Sequence, residues 1–177
     1  MPQGWEWVRL GEVGKIVSGG TPKTSVKEYW ENGTIPWITP ADLGLYKSKY
    51  ISHGKRFITE IGLIKSSAQL MPRGAVIFSS RAPIGYVAIA KNEICTNQGC
   101  KSSVPYVMDM NEYIYYYLMY AAKLINENAS GTTFNEISGT EFSNIVLPLP
   151  PLAEQKRIVE KVNQIMNLCD ELEKVIE

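Results

Sequence analysis

Apolar positions fall in short runs over the first two thirds of the chain and then settle into helical periods. Trp5 and Trp7, Val8-Arg9-Leu10, Val13 and Ile16-Val17 predict short strands, or a strand and a turn of helix, between Gly4 and Gly20. The breaker Ser18-Gly19-Gly20-Thr21-Pro22 closes that stretch. Residues 23–33 are polar and basic, interrupted by Tyr29 and Trp30. Ile35-Pro36-Trp37-Ile38 is an apolar run that Pro36 confines to an edge strand or a turn. The clearest strand pair is Gly74–Ser79 with Tyr86–Ala90, joined by Ser80-Arg81-Ala82-Pro83-Ile84-Gly85. A further turn is expected at Thr96-Asn97-Gln98-Gly99-Cys100-Lys101.

Two helices follow. Ile114, Leu118, Ala121, Ala122 and Ile125 share one helical face, with Asp109 or Asn111 as cap, and predict a helix to about Glu127. Tyr113, Tyr115, Tyr116, Tyr117 and Tyr120 crowd it, and Ser130-Gly131-Thr132-Thr133 ends it. Ile145–Leu149 is a short strand closed by prolines, which marks a domain boundary. From Leu152 to Glu177 there is neither glycine nor proline, so one helix of about 26 residues and about 39 Å is expected. Ile158, Val162, Ile165, Cys169, Leu172 and Ile176 recur in steps of four and three, an a/d heptad seam, with Val159, Met166 and Val175 widening it. An amphipathic helix can lie back on its own domain. Here the proline hinge, the length and the unbroken period predict that it projects and pairs with a partner. The expected organisation is a mixed α/β (α+β) globule over 1–150 and a coiled-coil helix over 151–177.

Composition narrows the class. With 45% hydrophobic and 20% charged residues the 177-residue chain can build a core, which argues against disorder. No apolar run approaches the ~20 residues of a membrane span, and the first residues lack the basic and apolar regions of a signal peptide, so a cytoplasmic protein is expected. Cys95, Cys100 and Cys169 lack CxxC spacing and His53 is alone, so the cysteines read as small buried hydrophobes, with no metal or other cofactor expected. The net charge is zero but unevenly spread: residues 1–105 carry 13 Lys/Arg against 7 Asp/Glu, and residues 106–177 carry 5 against 11. Such asymmetry suits one end to a polyanion and the other to a different task.

Catalytic signatures are missing. There is no GxxxxGK, no GxGxxG between strand and helix, and no GxSxG elbow, and one histidine does not make a triad. Glu154-Gln155-Lys156 has the ExK spacing of nucleases, but a glutamate at a helix start is explained by the macrodipole. Binding chemistry is better represented. Polar loops tied to apolar elements carry Thr21, Lys23, Thr24, Ser25 and Lys27, then Thr39, Arg81, Asn97, Gln98 and Lys101, the side-chain types used on phosphates and base edges. Lysines suit phosphates; Arg81, Asn97 and Gln98 suit bidentate base contacts, with a structural clamp on loop carbonyls as the alternative for Arg81.

The order of segments resembles the specificity (S) subunit of type I restriction-modification enzymes. The likeness rests on Trp7–Val13, Ser18–Pro22, Tyr29-Trp30, Ile35–Thr39, Ser79–Gly85, Thr96–Gly99, Ser130–Thr133, Leu147–Leu152, Glu154-Gln155 and Ile158-Val159, and it covers nearly the whole chain. It implies a target-recognition domain that enters the DNA major groove, followed by the spacer helix. It also implies partners: double-stranded DNA, methyltransferase subunits docked through the spacer, and a separate motor-nuclease subunit, the S subunit itself performing no chemistry. Family members commonly carry two such sets, so a single set is either a natural half-subunit or an expressed fragment; a half-subunit is expected to form a homodimer through the heptad seam and to read a palindromic gapped target. The bases themselves are then read at the positions named above or elsewhere, for instance in Lys47 to Lys65. The rival reading is a protein-interaction module, or a truncated decoy that holds the methyltransferase subunit without reading DNA.

Overall fold

Three sheets and six α-helices arrange the described residues as a mixed α/β fold. The computed structural model describes residues 2–46, 48–129 and 136–176, leaving out the side chains of 128, 129, 175 and 176. Ser130–Thr133, Lys47 and the side chain of Ile176 therefore lie outside the described residues.

The chain enters through β1 (Glu6–Arg9), a single turn of helix α1 (Leu10–Val13) and β2 (Gly14–Ser18), the strand-and-turn sequence expected between Gly4 and Gly20. The predicted strand pair forms the middle of the largest sheet: β6 (Val76–Ser80) runs antiparallel to β7 (Ile84–Ala90), and all five β6 residues are buried. Alternation divides β6 between two cores. Val76 and Phe78 face Ile114, Leu118, Phe142 and Leu147, while Ile77 faces Ile38, Leu43, Ile51, Met71 and Ile94. Burying each such large side chain stabilises the fold by roughly 1.5–3 kcal/mol. The sheet order is β2-β9-β6-β7-β4, where β4 is Tyr50–Ile51 and β9 is Cys100–Pro105.

Two expectations are corrected here. The turn foreseen over Thr96–Lys101 is shorter, because Cys100 and Lys101 already belong to β9, which pairs with β2 on one side and β6 on the other. Lys101, Ser102 and Ser103 are buried polar residues, so β9 has no hydrophobic period for a sequence reading to detect. Likewise β3 (Ile35–Ile38) is not an edge strand but the centre of a small sheet, order β5-β3-β8, with β5 at Arg56–Ile58 and β8 at Cys95–Thr96. Pro36 is tolerated because pairing with β8 begins only at Trp37↔Cys95, one residue past it. Short helices α2 (Pro40–Leu45) and α3 (Glu60–Ile64) are capped by Thr39 and Thr59.

Helix α4 (Asn111–Ala129) follows a 3-10 turn at Met108–Met110 and buries Ile114, Leu118 and Ala121 as its spacing predicts. Its tyrosines keep a polar handle: the Tyr113 and Tyr117 hydroxyls donate to the carbonyls of Pro148 and Val146. Burial pushes Tyr113 up to about 12, so it remains a neutral donor. These two carbonyls belong to β10 (Val146–Leu149), which follows α5 (Gly139–Ser143) and pairs with β1. Cys95 and Cys100 are buried, and burial pushes both thiols up to about 12, whereas Cys169, expected inside, is exposed.

The last helix, α6 (Leu152–Ile176), divides into two parts. Its beginning is fastened to the globule: Ile158 and Val159 pack on the core, and Gln155 is buried with its amide donating to the Pro150 carbonyl at 2.8 Å. Polar groups fasten it further. Lys49 donates to Glu112 at 2.8 Å and to Asn163 at 2.7 Å, the Tyr50 hydroxyl donates to Glu112 at 2.6 Å, and Lys156 pairs with Asp109 at 2.7 Å. Residues 164–174 are all exposed, including Ile165 at 50%, Leu168 at 59% and Leu172 at 63%. A seam free along its whole length is thus corrected: Ile158 and part of Val162 are covered by the chain's own domain, and the free stripe begins at Ile165.

Candidate nucleic-acid interface

The ladders place several loop ends at one rim. Antiparallel pairing of Ser18 with Lys101 and of Ser79 with Cys100 sets the end of β2, the end of β6 and the start of β9 side by side. Parallel pairing of Ile38 with Thr96 brings the end of β3, and hence Thr39, to the same place. Four of the segments read from sequence as polar loops therefore converge, though the paired Ser18 and Lys101 are 83 positions apart in the chain.

Close backbone contact holds them. A Cβ on Gly19 would lie 1.8 Å from the Asn97 carbonyl oxygen, so only glycine allows the first loop to rest on the 97–99 turn. The buried Trp37 indole donates to the Gly20 carbonyl at 2.8 Å, and the Trp30 indole donates to the Lys23 carbonyl at 3.3 Å. Trp30 and Trp37 meet edge to face at 5.1 Å, which gives the first loop an aromatic floor. The Thr21 hydroxyl donates to the Gln98 side-chain oxygen across the same junction.

The ten residues named from sequence divide by what the fold asks of them. Lys23, Thr24, Ser25, Lys27 and Gln98 are exposed, and Lys27 faces Glu31 at 3.8 Å, a solvated pair of little strength. Thr21, Arg81 and Asn97 are half-buried. Asn97 accepts from the Gly99 amide at 2.9 Å and so closes its own turn. Arg81 pairs with Glu136 at 3.1 Å and the two residues form an isolated backbone bridge, so its clamp partner is a carboxylate instead of the loop carbonyls considered above. Thr39 caps α2 in a reciprocal box with Asp42, and Lys101 is only 6% exposed. The Lys101 ammonium donates to the Gln98 carbonyl at 3.0 Å and to Ser80 Oγ at 3.4 Å and lies 3.6 Å from Glu136, partners a buried cation requires. Thr39 and Lys101 thus support the rim from below.

Two supporting residues are not among the ten named from sequence. Asp42 is 7% exposed; one carboxylate oxygen accepts from the Thr39 amide and hydroxyl, the other from the Lys55 amide at 3.0 Å. The Thr39-x-x-Asp42 spacing of a capping box was a usable signal. Glu136 had none, because it meets Arg81 from 55 positions away.

Loops held at a sheet rim and a helix whose far half exposes an apolar stripe are features common on binding surfaces. Residues 2–177 match the type I restriction modification DNA specificity domain, and the chain belongs to that family. It is 38% identical, over 98% of its length, to the type I restriction enzyme MjaIX specificity subunit of Methanocaldococcus jannaschii, of which it covers 40%. Among solved structures it resembles the HsdS subunit from Thermoanaerobacter tengcongensis with TM-score 0.74 at 30% identity, covering 99% of this chain and 40% of that one. It also resembles a chain solved in work on complex assembly and conformational transition of the type I R-M system, with TM-score 0.78 at 32% identity, covering 99% of this chain and 41% of that one. The chain thus spans about two fifths of the length of these relatives.

Proposed function

We propose that the globule over 1–150 reads one half of a gapped duplex DNA site and that the helix over 151–177 assembles it with a second spacer helix and with methyltransferase subunits. The observation that carries this reading is the convergence of Ser18–Lys27, Thr39, Arg81 and 97–101 at one rim, with Lys23 and Lys27 open to a phosphate backbone. Membership of the specificity-domain family supports it. In this reading the chain itself transfers no methyl group and cuts no strand; those steps belong to methyltransferase and motor-nuclease subunits. The bare stripe of Ile165, Cys169 and Leu172 suits a two-fold pairing with a second copy, which would place two loop rims at related half-sites.

The test is co-expression with the methyltransferase subunit encoded with it, followed by mapping of modified adenines by long-read sequencing. A gapped palindrome is the expected outcome. A gapped asymmetric site keeps the half-site reading and replaces the homodimer by a second specificity chain. A stable complex without modification overturns DNA recognition in favour of a decoy.

A further inference from the structure

We infer that Arg56 is a base-reading residue, its guanidinium laid out by an aromatic floor for bidentate contact with a guanine edge. The inference deepens the half-site reading and rests on it. Arg56 is not among the ten loop residues named from sequence but falls within Lys47 to Lys65, the stretch given above as the alternative location of base reading; it begins β5, and its cross-strand partner on β3 is Trp37. That register puts Arg56 on the face of the small sheet that bears the first loop, since Trp37 holds Gly20 there. The guanidinium carbon lies 3.5 Å from the Trp30 ring centroid and 5.4 Å from that of Trp37. Trp30 in turn holds Lys23. Arg56 and the loop with Lys23, Thr24 and Ser25 therefore stand on one floor.

Stacking on an indole separates Arg56 from the other arginines, and two further features suit it to contact. The guanidinium carbon lies 3.5 Å from the Trp30 ring centroid, and a guanidinium stacked on a ring is limited in orientation while its N–H edge stays available for bonding. No carboxylate pairs with it among the described residues, whereas Arg81 and Arg157 are tied to Glu136 and Glu154. The residue is also exposed, beside a notch of about 300 Å³ lined by Trp30, Asn32, Gly33, Lys55 and Phe57. Its approach segment is fixed as well. A Cβ on Gly54 would lie 2.6 Å from the Asp42 carboxyl carbon, and Asp42 accepts from the Lys55 amide while capping with Thr39. One buried carboxylate thus locks the Arg56 segment to the loop rim. A planar fork with fixed orientation matches guanine O6 and N7, while a phosphate needs only a mobile charge.

The experiment uses the complex of the full chain with its methyltransferase subunit and a pool of randomised duplex DNA, with bound sequences read by sequencing and affinity measured against salt. Wild type, R56K and R56A are compared. The expected result is that R56K, which keeps the charge but loses the fork, retains the wild-type salt dependence and loses preference for one G·C pair by about tenfold or more. R56A should lose the same preference. An R56K site preference identical to wild type would overturn the inference. So would an R56A complex that weakens evenly on all sequences with a shallower salt slope, the mark of a phosphate contact. A wild-type complex with no sequence preference would overturn the half-site reading itself, and this inference with it.

Discussion

At the level of single residues, Glu136 is the carboxylate on which two cations of the loop rim meet, Arg81 at 3.1 Å and Lys101 at 3.6 Å. Replacing it by glutamine leaves the buried Lys101 ammonium with only neutral acceptors. Glu136→Gln should therefore lower unfolding stability by roughly 1–3 kcal/mol in a denaturant melt. Adding Lys101→Met should recover part of that loss, because removing an unpaired buried charge removes its desolvation cost. If the double variant is less stable than the single one, the ion pair is not the reason. Legibility at this scale was uneven. Exposed loop side chains such as Lys23 and Gln98 were found where their composition pointed. Thr39 and Lys101 have the same donor chemistry but serve as cap and buried post, a difference that only packing reveals.

Among the elements, the joint between α4 and α6 depends on Glu112, which gathers Lys49, Tyr50 and Asn163. Partial burial alone would raise its carboxyl, but the hydrogen bonds from Lys49, Tyr50 and Asn163 outweigh that and hold it below the usual range. Burial would likewise lower Lys49, yet its bonds to Glu112 and Tyr116 keep it above the usual value. The carboxylate contribution is therefore complete above the ordinary glutamate value and is lost as pH falls through the lowered one. Protection of the amides over residues 155–163, corrected for the intrinsic pH dependence of exchange, should fall as pH drops below the ordinary glutamate range, and in Glu112→Gln it should already be low at neutral pH. Unchanged protection in both cases would assign the docking to Ile158 and Val159 alone. The heptad period made α6 and its apolar stripe readable. It could not divide the stripe, because the polar partners that fasten its first half, Lys49, Asp109, Glu112 and Tyr116, lie far away in sequence. Strand β9 was hidden for a related reason: its inward residues are serines and a lysine, which carry no apolar signal.

For the molecule as a whole, the proposed assembly rests on the exposed half of α6. Leu172 is 63% exposed and distant from both cores, so Leu172→Lys should leave the thermal midpoint of the globule unchanged while breaking helix pairing. Sedimentation velocity reads the outcome: a dimer for wild type and a monomer for the variant. A variant that sediments with wild type would place the interface elsewhere. The fold class and the helix that carries this surface were legible from period and breakers, and the family from the order of its short motifs. The convergence of the loops at one rim was not, since it depends on a strand register, Ser18 with Lys101 and Ile38 with Thr96, that no local pattern encodes.

The aromatic floor beneath the first loop also has an optical consequence. Of the four tryptophans, Trp5 and Trp7 lie at the entry of the chain, Trp7 largely in water, while Trp30 and Trp37 carry the loop on their indole N–H groups. With Trp5 and Trp7 replaced by phenylalanine, the emission of the remaining pair becomes a built-in dye lodged under the rim. Its colour and its shielding from iodide would follow occupation of the loops in real time, with no label attached.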